Sequence, residues 1–256
     1  MKKNPDFLRD AKKRGQKLAS LTAYDYPTAR LLDEIGLDFL LVGDSVGMVV
    51  LGHPDTTHVT MDDMIHHTAA VARGTTNTWI VSDLPFKSYA DTANAVRNSK
   101  RLMEAGADAV KMEGGRECLA MIEAILAEGI PVVGHLGMLP QRVLEEGGYR
   151  IKGRQDLEAE ALVDDAIALD RGGVSAIVLE LVHPPLAEEI TKAVKAPTIG
   201  IGSGSGCDGQ ILVVHDLTGH FPWFRPKFAR PRADIASEIQ RAAREYLSSV
   251  RHLEQG

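Results

Sequence analysis

Cysteine is nearly absent from the chain. The two that occur, Cys118 and Cys207, do not make a disulfide framework, so a reducing compartment fits. No apolar run approaches the ~20 residues that span a bilayer, which argues against a membrane helix. A basic surplus is missing too. Lys and Arg number 29 against 35 Asp and Glu, and the formal charge of −6 argues against nucleic acid or an anionic membrane as the main partner. The N-terminal MKKNPDFLRDAKKRG has charges but no apolar centre, unlike a signal peptide. Low-complexity segments and solenoid-spaced repeats are lacking as well. A cytoplasmic globular protein is the expectation.

What is present is a recurring punctuation. The stretch FLLVGDS places four apolar residues in a row and stops at Gly43, Asp44 and Ser45. An unalternating run of that length suits a strand buried on both faces of a parallel sheet. WIVSDLP ends likewise at Asp83, AVKMEGG at Lys111 and Glu113, VVGHLG at His135, and AIVLE at Glu180. Strand after strand delivers an ionisable group at its C-terminal end, which is how a (β/α)₈ barrel assembles an active site at its mouth. The length, 256 residues, is that of one such barrel of about 250.

Taken in order, the pattern predicts a short helix at 4–14 that plugs or flanks the barrel bottom. Strands are predicted at 18–24, 39–42, 79–81, 109–112, 131–134, 177–179, 198–201 and 211–214. Helices are predicted between most of them, at 25–35, from Thr60 to Gly74, and at 91–105, 117–128, 156–171 and 184–194. The first is expected to place Ala29, Leu32 and Ile35 roughly on one apolar stripe, and residues 46–59 to form a long functional loop. A last helix covers 233–253. The fold class expected is α/β, a (β/α)₈ TIM barrel. It forms a single domain over 1–256 with a short N-terminal helix and a C-terminal helix.

Asp44 and Asp83 end adjacent strands, with Glu113 on the next. Carboxylate oxygens gathered this way suit Mg²⁺, which keeps several waters and takes one or two protein carboxylates. The plainer alternative is that each aspartate caps its own loop. Lys111 and Glu113 lie two apart, hence on one face of a strand. A lysine inside the barrel needs an anionic partner: a bound carboxylate, or only a bracing ion pair. His135 is placed to donate to a substrate oxygen, and Glu180 to act as general base; the bland alternatives are a structural histidine and a salt bridge across the mouth. His53 and His58 lack tight metal spacing. The glycine-rich IGIGSGSG after the seventh strand is a weak phosphate cradle, since no second glycine loop accompanies it. The aromatic and basic FPWFRPKFARPR fits a lid or subunit contact better than a nucleic-acid patch.

LTAYD, LVGDSVGMVVLGH, SDLPF, VKMEGG, GHLGMLPQ, GGYRIKGR, the LE after the sixth strand and IGIG…CDGQ, in that order, resemble the ketopantoate hydroxymethyltransferase family from about Leu21 to Lys227. The resemblance implies a barrel of the phosphoenolpyruvate-pyruvate superfamily. It implies transfer of a one-carbon unit from 5,10-methylenetetrahydrofolate to 3-methyl-2-oxobutanoate, with Mg²⁺ or a similar divalent ion. By the same resemblance Asp44 and Asp83 match the metal-binding aspartates, and Glu113 the carboxylate near the metal. Asp44, Ser45, Asp83 and Lys111 match the ketoacid contacts, His135 a site histidine, and Glu180 the proton acceptor. A homo-oligomer, commonly a decamer, is implied. The loop GHPDTTHVT and the segments SGSGCDGQ and HDLTGHFPWF depart from the family pattern, the last two on the side where the resemblance implies folate. The nearest rival is a phosphonopyruvate or isocitrate lyase or mutase acting on a chelated 2-ketoacid. A phosphosugar isomerase and a non-catalytic barrel scaffold are further off, because a scaffold gains nothing from buried ionisable strand ends.

Overall fold

A computed structural model describes residues 2–253. The chain divides into two compact units, Met1–Ile211 and Leu212–Gly256. Eight parallel strands close into a barrel in sequence order. They are β1 (Leu18–Thr22), β2 (Phe39–Val42), β3 (Trp79–Asp83), β4 (Ala109–Glu113), β5 (Val132–Gly137), β6 (Ala176–Glu180), β7 (Thr198–Ile201) and β8 (Gly209–Leu212). The unalternating runs are buried throughout in β2, β3 and β4, as two-sided burial requires.

The bottom is closed by α1 (Pro5–Lys13), capped by the Asn4 side chain. Its Leu8 and Ala11 are fully buried among Leu18, Phe39, Trp79, Ala109 and Ala176. Lys3 and Lys12 moor it: Lys3 Nζ donates to Gly36 O and Leu37 O and pairs with Asp38, and Lys12 Nζ donates to Thr191 O and Ala196 O and pairs with Asp208. The expected plug is present.

The second helix, α2 (Tyr26–Glu34), departs from expectation. Ile35 is 71% exposed, and Asp33 is buried in its place beside Ala29. The reason is hydrogen bonding. Asp33 accepts from the backbone N–H groups of Thr76, Asn77 and Thr78, ordering the turn that feeds β3. Burial raises its pKa, but these donors outweigh burial and hold it well below the usual carboxylate range. Its contribution is therefore full above that range and is lost as pH falls through the lowered value. Asp33→Ala is expected to cost about 1–3 kcal/mol, the price of stranding buried donors. Urea unfolding at neutral pH should show that loss, and the gap to the parent should narrow only in strong acid.

Residues 46–59 are not an open loop. They contain α3 (Val46–Val49) and a 3₁₀ turn at Thr56–His58. The helix α4 (Met61–Gly74) starts at the expected Thr60–Asp63 capping box. Then follow α5 (Thr92–Glu104), α6 (Leu119–Ala127), α7 (Asp156–Arg171) and α8 (Pro184–Ala193). The eighth strand begins two residues before its expected place. A Cβ on Gly209 would lie 2.7 Å from Leu18 Cβ, so only glycine lets β8 come this close to β1.

The second unit holds α9 (Val214–Thr218), which takes up part of the stretch expected as strand eight, and α10 (Ile235–Leu253). Gly219 ends α9 with φ 66°, a left-handed cap. No helix among the described residues is long and apolar enough to cross a membrane.

Candidate active site

Register builds the site. Asp83 on β3 lies beside Lys111 on β4, and Glu113, two residues on, lies beside His135 on β5. Lys111 and Glu113 share a face, as period two requires, and both are buried. The result is a row of alternating charges across three strands. Lys111 Nζ is 2.9 Å from Asp83 Oδ1. His135 stands between two carboxylates, with Nδ1 3.3 Å from Glu113 Oε1 and Nε2 3.3 Å from Glu180 Oε2. Lys111 Nζ also lies 3.2 Å from His135 Nδ1.

Asp44 joins from β2's end. Its backbone N–H donates to Asp83 Oδ2 at 3.0 Å. A Cβ on Gly43 would sit 2.9 Å from Ser45 Oγ, so glycine here leaves room for that hydroxyl. Ser45 Oγ is 2.7 Å from the Tyr24 hydroxyl. Leu181, immediately after Glu180, has φ 48°, an uncommon conformation for a branched residue. It is clamped by Leu181 N donating to Ile201 O and Lys152 N donating to Leu181 O, so the chain turns sharply once Glu180 is placed.

Electrostatics follow from packing four carboxylates, Asp44, Asp83, Glu113 and Glu180, around one lysine and one histidine. Burial, then the charges of Asp83 and Glu113, push Asp44 well above its ordinary value. Burial also raises Asp83, and Lys111 only partly offsets it. For Glu113 burial is outweighed by His135, Lys111 and the Gln141 N–H, and its pKa falls. Burial and Lys111 oppose a charge on His135, but Glu113 and Glu180 prevail and raise it to about 9. Lys111 is raised by the three carboxylates around it despite burial.

Negative charge is therefore in surplus, and two buried oxygens, Asp83 Oδ1 and Glu113 Oε1, have no hydrogen-bond partner. Their neighbours Lys111 and His135 are at ion-pair distance but poorly aligned for a bond. A divalent cation fits this donor set, since hard oxygens and an unbalanced charge are what Mg²⁺ takes. Among the described residues no group of three His, Cys, Asp or Glu side chains is arranged as a metal cage.

All the expected site residues except Ser45 join this charged cluster, and Ser45 lies next to it. His53 and His58 instead stack on each other, with His58 Nδ1 3.2 Å from Asp55. The glycines of the loop after β7 make room for the protein's own atoms: Gly204 packs on Pro184 and Gly206 on Glu188. Gln141 was not anticipated. Its amide donates to Asp44 Oδ2 at 2.8 Å, and it sits in a 3₁₀ turn where no periodicity marks it. Its place in GHLGMLPQ was the only signal.

A sequence profile described as ketopantoate hydroxymethyltransferase matches residues 2–254. The chain belongs to that family. It is 50% identical over 247 residues to the 3-methyl-2-oxobutanoate hydroxymethyltransferase of Syntrophus aciditrophicus, covering 96% of this chain and 91% of that one. The enzyme of the same name from Acetivibrio thermocellus is 51% identical over 245 residues, covering 95% and 87%. Membership in the family makes this chain an enzyme of the hydroxymethyltransferase type. Among solved structures, phosphonopyruvate hydrolase with oxalate and Mg²⁺ superimposes with TM-score 0.62 at 16% identity, over 99% of this chain and 100% of that one. For 2,3-dimethylmalate lyase the values are 0.62 and 17%, over 98% and 88%. These two likenesses establish the barrel fold alone.

Proposed function

We propose that the protein transfers a hydroxymethyl group from 5,10-methylenetetrahydrofolate to 3-methyl-2-oxobutanoate, giving ketopantoate and tetrahydrofolate, with one water consumed. This is the first committed step toward pantothenate and coenzyme A, carried out in the cytoplasm. The observation that carries the proposal is the surplus of buried carboxylates at the strand ends, with Glu180 held against His135, in a chain of this family.

Asp44 and Asp83, with Glu113 near them, would hold Mg²⁺, which when bound polarises the carboxylate and carbonyl oxygens of a 2-ketoacid. Lys111 meets the substrate's negative charge from inside the barrel, and Ser45, oriented by Tyr24, offers a hydroxyl to a substrate oxygen. Glu180, whose side chain is 14% exposed while its His135 neighbour is 3% exposed, faces the open mouth where substrate arrives. It takes the proton from C3 of the ketoacid. His135 Nε2 lies 3.3 Å from the Glu180 carboxylate and puts a positive charge beside it. The electron pair left at C3 forms the new bond to the folate-borne carbon as its two C–N bonds, to N5 and N10, are given up; the one water supplies the hydroxyl oxygen and its two protons end as N–H on those nitrogens, and the proton held by Glu180 ends on the new hydroxyl.

Incubation with Mg²⁺, 3-methyl-2-oxobutanoate and 5,10-methylenetetrahydrofolate tests this: ketopantoate should form and a chelator should stop it. Cleavage of phosphonopyruvate with no ketopantoate formed would favour a lyase instead. The family resemblance further supports a homo-oligomer. Sedimentation should give a species several times the 27.7 kDa chain, and a monomer at micromolar concentration would contradict it.

A further inference from the structure

Gln141 is buried, 3% exposed, and both ends of its side-chain amide and its backbone N–H are engaged. The side-chain nitrogen donates to Asp44 Oδ2 at 2.8 Å and to Leu84 O at 3.0 Å. The side-chain oxygen accepts from the Tyr89 hydroxyl at 2.6 Å. The backbone N–H donates to Glu113 Oε2 at 3.1 Å. A carbonyl only accepts, so Leu84 O dictates which end of the amide is nitrogen, and Tyr89 secures the other end. Asp44 Oδ2 therefore faces a fixed donor. Through one residue, Asp44 and Glu113 are tied to each other and to the turn after β5.

We infer that Gln141 is a positioning residue for the divalent ion, aligning Asp44 and Glu113 before the ion arrives. This rests on Asp44 belonging to the Mg²⁺ site. Orienting partners of this kind matter because a carboxylate in a surplus of like charge is otherwise free to turn away or take a proton, and their loss typically weakens metal binding about 10–100-fold. Two roles can be separated. A residue that only braced the turn would change stability and leave ion affinity where it was.

The test is Mn²⁺ binding by the full chain, read from the free-ion paramagnetic resonance signal without ketoacid or folate. Gln141→Met keeps length and bulk but removes the amide, while the backbone bond to Glu113 stays. Its Mn²⁺ affinity should fall about tenfold or more. In turnover the Mg²⁺ needed for half-maximal rate should rise by the same factor, with the rate at saturating Mg²⁺ restored. If that variant does not fold, Gln141→Asn keeps a polar amide in the pocket, too short to reach Asp44, and the same fall is expected. Affinity within about twofold of the parent in the folded variant overturns the inference. A parent that binds no Mn²⁺ overturns the metal site itself, a different result from a parent that binds and a variant that binds equally.

Discussion

Glu180→Gln should lower turnover by about 10²–10⁴, the usual contribution of a general base, and leave ketoacid binding nearly unchanged. The substitution keeps the shape of the side chain and its contact with His135 Nε2, 3.3 Å away in the parent. What it removes is the ability to accept a proton. Binding survives because the groups assigned to the ketoacid, Asp44, Ser45, Asp83 and Lys111, sit on other strand ends and are untouched. Steady-state rates with a separate measurement of ketoacid affinity check both halves. Parent-like turnover would move the base elsewhere, with His135 the next group in line.

Asp83→Asn should keep the barrel and lose Mg²⁺ binding and activity together, by about 10²-fold or ~3 kcal/mol. Asp83 is engaged on two sides. Oδ2 accepts from Asp44 N, a role that an amide oxygen can retain. Oδ1 faces Lys111 Nζ at 2.9 Å, with both side chains nearly sealed from water. Removing one charge of a buried pair is costly because the other is left behind. Part of that cost is recovered here. The Asp83 charge helps push Asp44 toward protonation, so with Asp83 neutral Asp44 ionises more readily, and the Lys111 charge favours that ionised form. The fold therefore survives while one charged ligand of the ion is gone. Calorimetric titration with Mg²⁺ alongside activity measures both, and a variant that binds and turns over like the parent would remove Asp83 from the metal site.

The part of this site that was legible in the sequence is the part written in strand grammar. Apolar runs that stop at Asp44, Asp83 or Glu180 report buried strands, and barrel closure carries their ends to one mouth. The spacing of Lys111 and Glu113 gives their shared face. What escaped was written in contacts between distant segments. Gln141 reaches Asp44 across ninety-seven positions of chain from a turn with no period of its own. Asp33 carried no signal of its role because its partners belong to the turn before β3. The eighth strand was misplaced because it opens on Gly209, a poor strand former that the close approach to Leu18 requires, while Val213 and Val214, which look like strand, lead into α9.

The central claim is that this mouth makes C3 of a 2-ketoacid give up its proton. The most direct measurement is proton NMR of 3-methyl-2-oxobutanoate in heavy water with the parent protein and Mg²⁺, together with a folate analogue that lacks the transferable carbon. The C3 proton should exchange for deuterium in the parent and stop exchanging in Glu180→Gln while ketoacid remains bound. A parent that leaves the C3 proton in place under these conditions would contradict the mechanism.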